Sequence, residues 1–294
     1  MTKRKRKKIL ILNCGYPKAG STYVIESLIN IAPDTNCINI NNNAKLLECF
    51  EAILHFKNKD FKIQFNNLIS IVNQNLTNNI NFFGYERSLN ININSNKKFV
   101  FFTRLKKIAN ELDLDLKLTI FLRDKLEIIE SHYKESYFRL IFKNIEYFFF
   151  NRYLKSILNK KENDIFKNLN YTYNIKKICK IIGEKKVLIN NFENLKKNKK
   201  NTFRILMNFS KIKKFNLNKL TTKSLNSSKN KEFFLLIKLR INDYFFLKKK
   251  LSLKTIANAS EIFLKLVFFQ NYLNKMAKID LVSRNKLIKL LNKN

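Results

Sequence analysis

Tryptophan is absent from this 294-residue chain, and glycine, proline and histidine are scarce, with four, two and two residues. Average usage would give about twenty glycines at this length, so the few present mark places where backbone geometry needs them. The two histidines, His55 and His132, stand far apart, and Cys14, Cys37, Cys49 and Cys179 form no C-x-x-C pair. That excludes the usual zinc spacings, no metal is expected, and reduced thiols in a cytoplasmic protein are the expectation. Acidic residues number 22 against 58 basic ones, a formal net charge of +36. A field of that sign draws in phosphates, nucleic acid and anionic surfaces without specificity. Lys, Asn, Ile and Phe, the amino acids of A/T-rich codons, are all abundant, so base composition explains the same charge, and charge selects no function. Long apolar runs are missing too. Residues 262–269 come nearest but contain Lys265, well short of the roughly 18 residues of a membrane span. The apolar segment after the basic arm at residues 1–8 is shorter than the roughly 7–15 residues of a signal-peptide core. No transmembrane segment is expected, and peripheral contact with anionic surfaces stays open.

What is present is an alternation. Ile9, Leu10, Ile11 and Leu12 read as a short buried strand, and Val24, Ile25, Leu28 and Ile29 repeat at helical spacing until Pro33. Residues 39–43 form a polar break. Leu46, Leu47, Phe50, Ile53 and Leu54 mark a second helix, residues 61–76 a third, and residues 80–85 a strand ending at Gly84. A helix through Leu105, Ile108, Ala109 and Leu112 precedes an apolar strand at 118–122, which leads into a helical face of Leu126, Ile129, Tyr133 and Tyr137. Residues 138–166 are aromatic, basic and helical in pattern. A further helix stops at Gly183, and residues 187–192 read as another strand. Strands alternating with helices imply an α/β fold with a central parallel sheet flanked by helices. The expected organisation is a basic arm at 1–8, an α/β domain at 9–231 and a helical C-terminal extension at 232–294.

Three of the six glycine and proline residues fall in one loop: Cys14-Gly15-Tyr16-Pro17-Lys18-Ala19-Gly20-Ser21-Thr22-Tyr23, directly after the first strand and before the first helix. Gly15-x-x-x-x-Gly20-Ser21-Thr22 has the outline of a phosphate-binding P-loop, in which backbone N–H groups and a helix N-terminus surround phosphate oxygens. A nucleoside-triphosphatase loop carries lysine right after the second glycine; here Ser21 fills that slot and Lys18 lies inside the loop, which argues against ATP hydrolysis. The order Tyr-Pro-Lys-Ala-Gly-Ser-Thr instead resembles the 5′-phosphosulfate loop of the sulfotransferases, written Y-P-K-[SA]-G-[ST]-[ST]. A second segment agrees: Arg123 ends a strand and Ser131 follows eight positions on, similar to the family's pair that holds the nucleotide 3′-phosphate. Arginine offers a planar fork of donors suited to phosphate. Lys125 stands where the family has proline after Arg-Asp. Gly84-Tyr85-Glu86-Arg87-Ser88-Leu89-Asn90 resembles the G-x-E-K-S segment of the carbohydrate and bacterial branches, whose glutamate is the proposed base. Phe192-Glu193-Asn194-Leu195 resembles the family's [YF]-E-[DN]-L, with Leu195 packing and Glu193 capping the next turn. Tyr171 matches a tyrosine of many bacterial members, and Asn226 and Ser228 resemble a late N-x-S segment.

The resemblance implies a P-loop-like α/β enzyme that moves a sulfuryl group from 3′-phosphoadenosine 5′-phosphosulfate (PAPS) to a hydroxyl or amine of an acceptor, with carbohydrate the family-level guess. Pro17, Lys18, Ala19, Gly20, Ser21 and Thr22 would hold the 5′ end, Arg123 and Ser131 the 3′-phosphate, Lys18 would stabilise the leaving group and Glu86 would be the base. Two other readings stay open: a small-molecule kinase, which predicts ATP affinity and magnesium dependence, and a basic nucleic-acid-binding protein, which predicts steeply salt-dependent binding. No specific nucleic-acid partner is expected on the leading reading.

Overall fold

A computed structural model describes residues 7–16, 19–143, 150–159 and 164–220. The helical extension expected at 232–294, and Asn226 and Ser228, lie outside the described residues. Every residue of β1 (Ile9–Gly15) is buried, as expected of an apolar run covered on both faces. α1 (Ser21–Ile31) follows, burying Val24, Ile25, Leu28 and Ile31 and ending just before Pro33. β2 (Asn36–Asn39) leads through a 3₁₀ turn at Ile40–Asn42 into α2 (Ala44–His55), α3 (Asn58–Gln74) and β3 (Ile80–Gly84). Then come α4 (Ser95–Glu111), β4 (Asp115–Leu122), α5 (Lys125–Lys143), α6 (Phe150–Asn159), α7 (Asp164–Asn168) and α8 (Tyr171–Ile182). β5 (Val187–Asn191), α9 (Phe192–Lys197) and α10 (Lys199–Ser210) complete the described elements. Among the described residues no helix is long and apolar enough to cross a membrane.

The strands form one parallel five-stranded sheet in the order β2-β3-β1-β4-β5. Leu12 of β1 lies beside both Phe83 of β3 and Leu118 of β4. The crossover from β1 runs toward the β2 edge, whereas the crossovers from β2, β3 and β4 run the other way. Right-handed connections therefore put α1 on the opposite face from α2, α4 and α8. On its face α1 meets α10, with the Tyr23 and Phe203 rings 6.2 Å apart. On the other, Phe50 of α2 lies 6.1 Å from Phe101 of α4, and Phe99 of α4 6.2 Å from Tyr173 of α8. The connections from β1 and β4 leave in opposite directions, so the carboxyl ends of these neighbouring strands form the switch point at which ligands bind in open α/β sheets.

Two elements depart from the pattern reading. β2 is not expected from the sequence: Asn-Cys-Ile-Asn is short, half-exposed and has no alternation, as an edge strand can be. Glu193 does not cap α9; Asn191 does so, its Oδ1 accepting from the Glu193 N–H at 2.9 Å. Leu195 packs as expected and is fully buried. The helical reading of 138–166 holds for its described parts, in α5, α6 and α7.

Candidate functional site

The loop after β1 is anchored from both sides. The Tyr16 N–H donates to the Phe121 carbonyl of β4 at 3.4 Å, and the Ala19 N–H to the Tyr16 carbonyl at 3.0 Å. Gly20 has φ +83°, in the left-handed region that an L side chain resists, and a Cβ there would lie 2.9 Å from Cε2 of Phe192. Glycine at this position thus lets the loop close against the Phe192 ring. Gly20, at the head of α1, supplies no side-chain cap, and the first turn of the helix holds no acidic residue. That end therefore carries the positive partial charge of its own backbone uncompensated from within the helix. Ala19 and Ser21 are buried and Thr22 is exposed. Pro17 and Lys18 lie outside the described residues.

β3 delivers Glu86 to the same place. The strand ends at Gly84 beside Asn13, the Tyr85 N–H donates to the Asn13 carbonyl at 3.1 Å, and a 3₁₀ turn at Glu86–Leu89 follows. The Ser21 hydroxyl donates to Oε2 of Glu86 at 2.9 Å. Glu86 is gripped through its neighbours: Oε1 of Glu51 on α2 accepts from the Tyr85 hydroxyl at 2.8 Å and from Nη1 of Arg87 at 3.0 Å. Burial first, and then the hydrogen bond to Glu51, push the Tyr85 phenol well above its ordinary pKa, so it stays a neutral donor. Glu51 was not legible in the sequence, because nothing local to α2 points at a turn more than thirty residues later.

Arg123 follows the last residue of β4 and is mostly buried. Its Nε donates to Oε2 of Glu127 at 2.7 Å, and its guanidinium lies 5.3 Å from the centroid of the Phe192 ring that touches Gly20. Glu127 is one of the ion-pair partners available to Arg123 in the sequence, and the pair holds the guanidinium at the sheet edge. Asp124 caps α5, its Oδ1 accepting from the Leu126 and Glu127 N–H groups at 2.9 and 3.1 Å. Ser131 is half-buried one turn after Glu127, on the same helical face. Tyr171, the first residue of α8, donates its hydroxyl to the Arg123 carbonyl at 2.8 Å and packs its ring 4.5 Å from that of Tyr16.

Ala19, Gly20, Ser21 and Glu86 thus share one corner, and Arg123 joins them through Phe192. Arg123 and the loop open on the same sheet edge. The Cys14 thiol just below is buried, which pushes its pKa up to about 12 and leaves it unreactive. Among the described residues no group of three or more His, Cys, Asp or Glu could hold a metal ion.

No protein-family model matches the chain, and no curated protein matches it. Among solved structures it is similar to a sulfotransferase from Alicyclobacillus acidocaldarius, at 12% identity over 82% of this chain and 93% of that one, with a TM-score of 0.44. It is also similar to the sulfotransferase domain of the Synechococcus PCC 7002 olefin synthase, at 14% identity over 80% and 86% with a TM-score of 0.41. A third is the sulfotransferase domain from the curacin biosynthetic pathway, at 10% identity over 78% and 83% with a TM-score of 0.38. The chain is similar to sulfotransferases of solved structure, at a distance that leaves its chemistry to be argued from its own residues.

Proposed function

We propose that this protein is a sulfotransferase that moves a sulfuryl group from PAPS to a hydroxyl or amine of an acceptor, with a carbohydrate or other glycan the acceptor class. One observation carries the reading: the glycine loop, Glu86 and Arg123 follow three neighbouring parallel strands, β1, β3 and β4, and meet at one sheet edge. A helix amino end, a glycine-shaped loop and a mostly buried arginine suit a ligand bearing phosphate at two ends. Sulfuryl transfer, like phosphoryl transfer, asks the protein to hold an in-line nucleophile and to stabilise charge on the leaving phosphate. On this reading Lys18, Ser21, Thr22 and the loop amides take the 5′ end, and Arg123 with Ser131 takes the 3′-phosphate. Glu86 accepts the proton from the acceptor. The Ser21 hydroxyl has one proton, now given to Glu86; when it turns to the donor's phosphate, the carboxylate oxygen it held becomes available to the acceptor.

Titration calorimetry with adenosine 3′,5′-bisphosphate tests the donor site without needing the acceptor. Tight binding, lost in Arg123→Ala, is the expected result. Binding of ATP with magnesium but not of the bisphosphate would overturn the reading in favour of a kinase. A folded Lys18→Ala protein is expected to lose transfer, and undiminished turnover would remove Lys18 from the mechanism.

A further inference from the structure

Arg123 is the first residue of its strand end to leave the sheet, since the β4 ladder closes with Leu122 beside Asn191 of β5. Its carbonyl lies just past the end of the ladder, and a backbone acceptor this close to the interior calls for a hydrogen-bond donor. The Tyr171 hydroxyl supplies it at 2.8 Å. The same side chain turns its ring against Tyr16, the residue that opens the glycine loop, at 4.5 Å and 52° between planes. Tyr16 is itself almost fully buried, so its ring cannot move without moving Tyr171. α8 holds Tyr171 in place from its own start, where Oδ1 of Asn170 accepts from the Tyr173 N–H at 3.1 Å. Lys125 closes the other side, its ammonium 5.5 Å from the Tyr171 ring centroid. One side chain therefore touches both the ring of Tyr16 and the backbone of Arg123, with chemically distinct parts facing each.

We infer that Tyr171 is a positioning residue that couples the two ends of the nucleotide site: its ring braces the 5′ loop through Tyr16, and its hydroxyl sets the peptide from which Arg123 reaches a 3′-phosphate. The inference rests on the sulfotransferase reading. It separates the roles of ring and hydroxyl. Removing the hydroxyl alone takes this donor from the Arg123 carbonyl and blunts recognition of the 3′-phosphate, while the loop keeps its brace. Removing the ring loosens the loop as well.

Dissociation constants for adenosine 3′,5′-bisphosphate and adenosine 5′-phosphate, measured by calorimetry on the full chain, Tyr171→Phe and Tyr171→Leu, test this, with circular dichroism melting as the check on folding. The unaltered protein should prefer the bisphosphate. In Tyr171→Phe that preference should fall by about threefold to tenfold, the scale of one hydrogen bond, with 5′-phosphate affinity unchanged. Tyr171→Leu should weaken both ligands. An unchanged preference in Tyr171→Phe, or an equal loss for both ligands, overturns the inference, and Tyr171→Phe decides it even where the leucine variant fails to fold. If the unaltered protein binds neither nucleotide, the sulfotransferase reading itself falls and the inference falls with it.

Discussion

Glu86 and Gly20 show two ways in which a single residue carries the site. Glu86→Gln keeps a side chain that can accept from Ser21 but, under the proposed function, removes the proton acceptor. Transfer should fall by roughly 10²–10⁴-fold, the usual contribution of base catalysis, with bisphosphate affinity retained, as a comparison of turnover with calorimetry would show. Gly20→Ala acts through the backbone. Its φ of +83° and the 2.9 Å approach to Phe192 leave no room for a methyl group. The left-handed conformation alone costs about 1–2 kcal/mol, so a lowered melting temperature and weakened nucleotide binding should appear together. At this scale the sequence is readable where the chemistry is local. Gly20, Ser21 and Glu86 stand in compact motifs, and the structure brings them within one hydrogen bond of each other. Glu51 is invisible by the same criterion, because Tyr85 and Arg87, which it meets beside Glu86, lie far along the chain and only the fold makes them neighbours. Phe192 stands in a segment that reads as mainly architectural in the sequence, yet its ring lies between Gly20 and Arg123.

Elements in this chain are started by asparagine. Asn43, Asn94, Asn170, Asn191 and Asn198 each accept a backbone N–H with their side chains at the heads of α2, α4, α8, α9 and α10. A residue abundant enough to suggest base composition thus supplies caps that serine, threonine or aspartate would give elsewhere. Asn198→Ala and Asn170→Ala should each cost about 0.5–2 kcal/mol in denaturant unfolding. They should differ at the site. Asn170 heads the helix whose first residue is Tyr171, so its loss should also weaken the bisphosphate, whereas α10 touches the opposite face of the sheet and its cap should leave binding alone. Helices and central strands were legible because burial imposes a period on them. β2 was not, since a four-residue edge strand of intermediate burial imposes none. Strand order was hidden for a related reason: β1, β3 and β4 all read as apolar runs, and nothing in a run says which neighbour it will pair with.

At the scale of the whole molecule, the excess of basic residues reaches inside. Lys98, Arg104 and Lys117 are all buried. Lys98 gives its ammonium to Oδ1 of Asn168 at 2.5 Å, and burial pushes its pKa from 10.5 down to about 7, partly offset by Asp164 and reinforced by Lys177. Between those two values the unfolded chain binds a proton that the folded chain does not, so stability should rise with pH from about 7 toward 10. Below that window both states hold the proton and the cost of the buried charge is felt in full. Denaturant titrations at pH 6 and pH 9 check the sign, and Lys98→Met should flatten the difference.

The three strands that meet at the site are neighbours in space but far apart along the chain, and β1 becomes central only after β3 and β4 have docked on either side of it. A partly folded chain can own the glycine loop and still lack the arginine that completes the grip. Under the proposed function, a two-ended nucleotide is then a reporter of finished folding. At a hundredfold excess over its dissociation constant the bisphosphate should hold the native state by about 2.7 kcal/mol, making it a stabiliser during purification and a probe of whether assembly ran to its end.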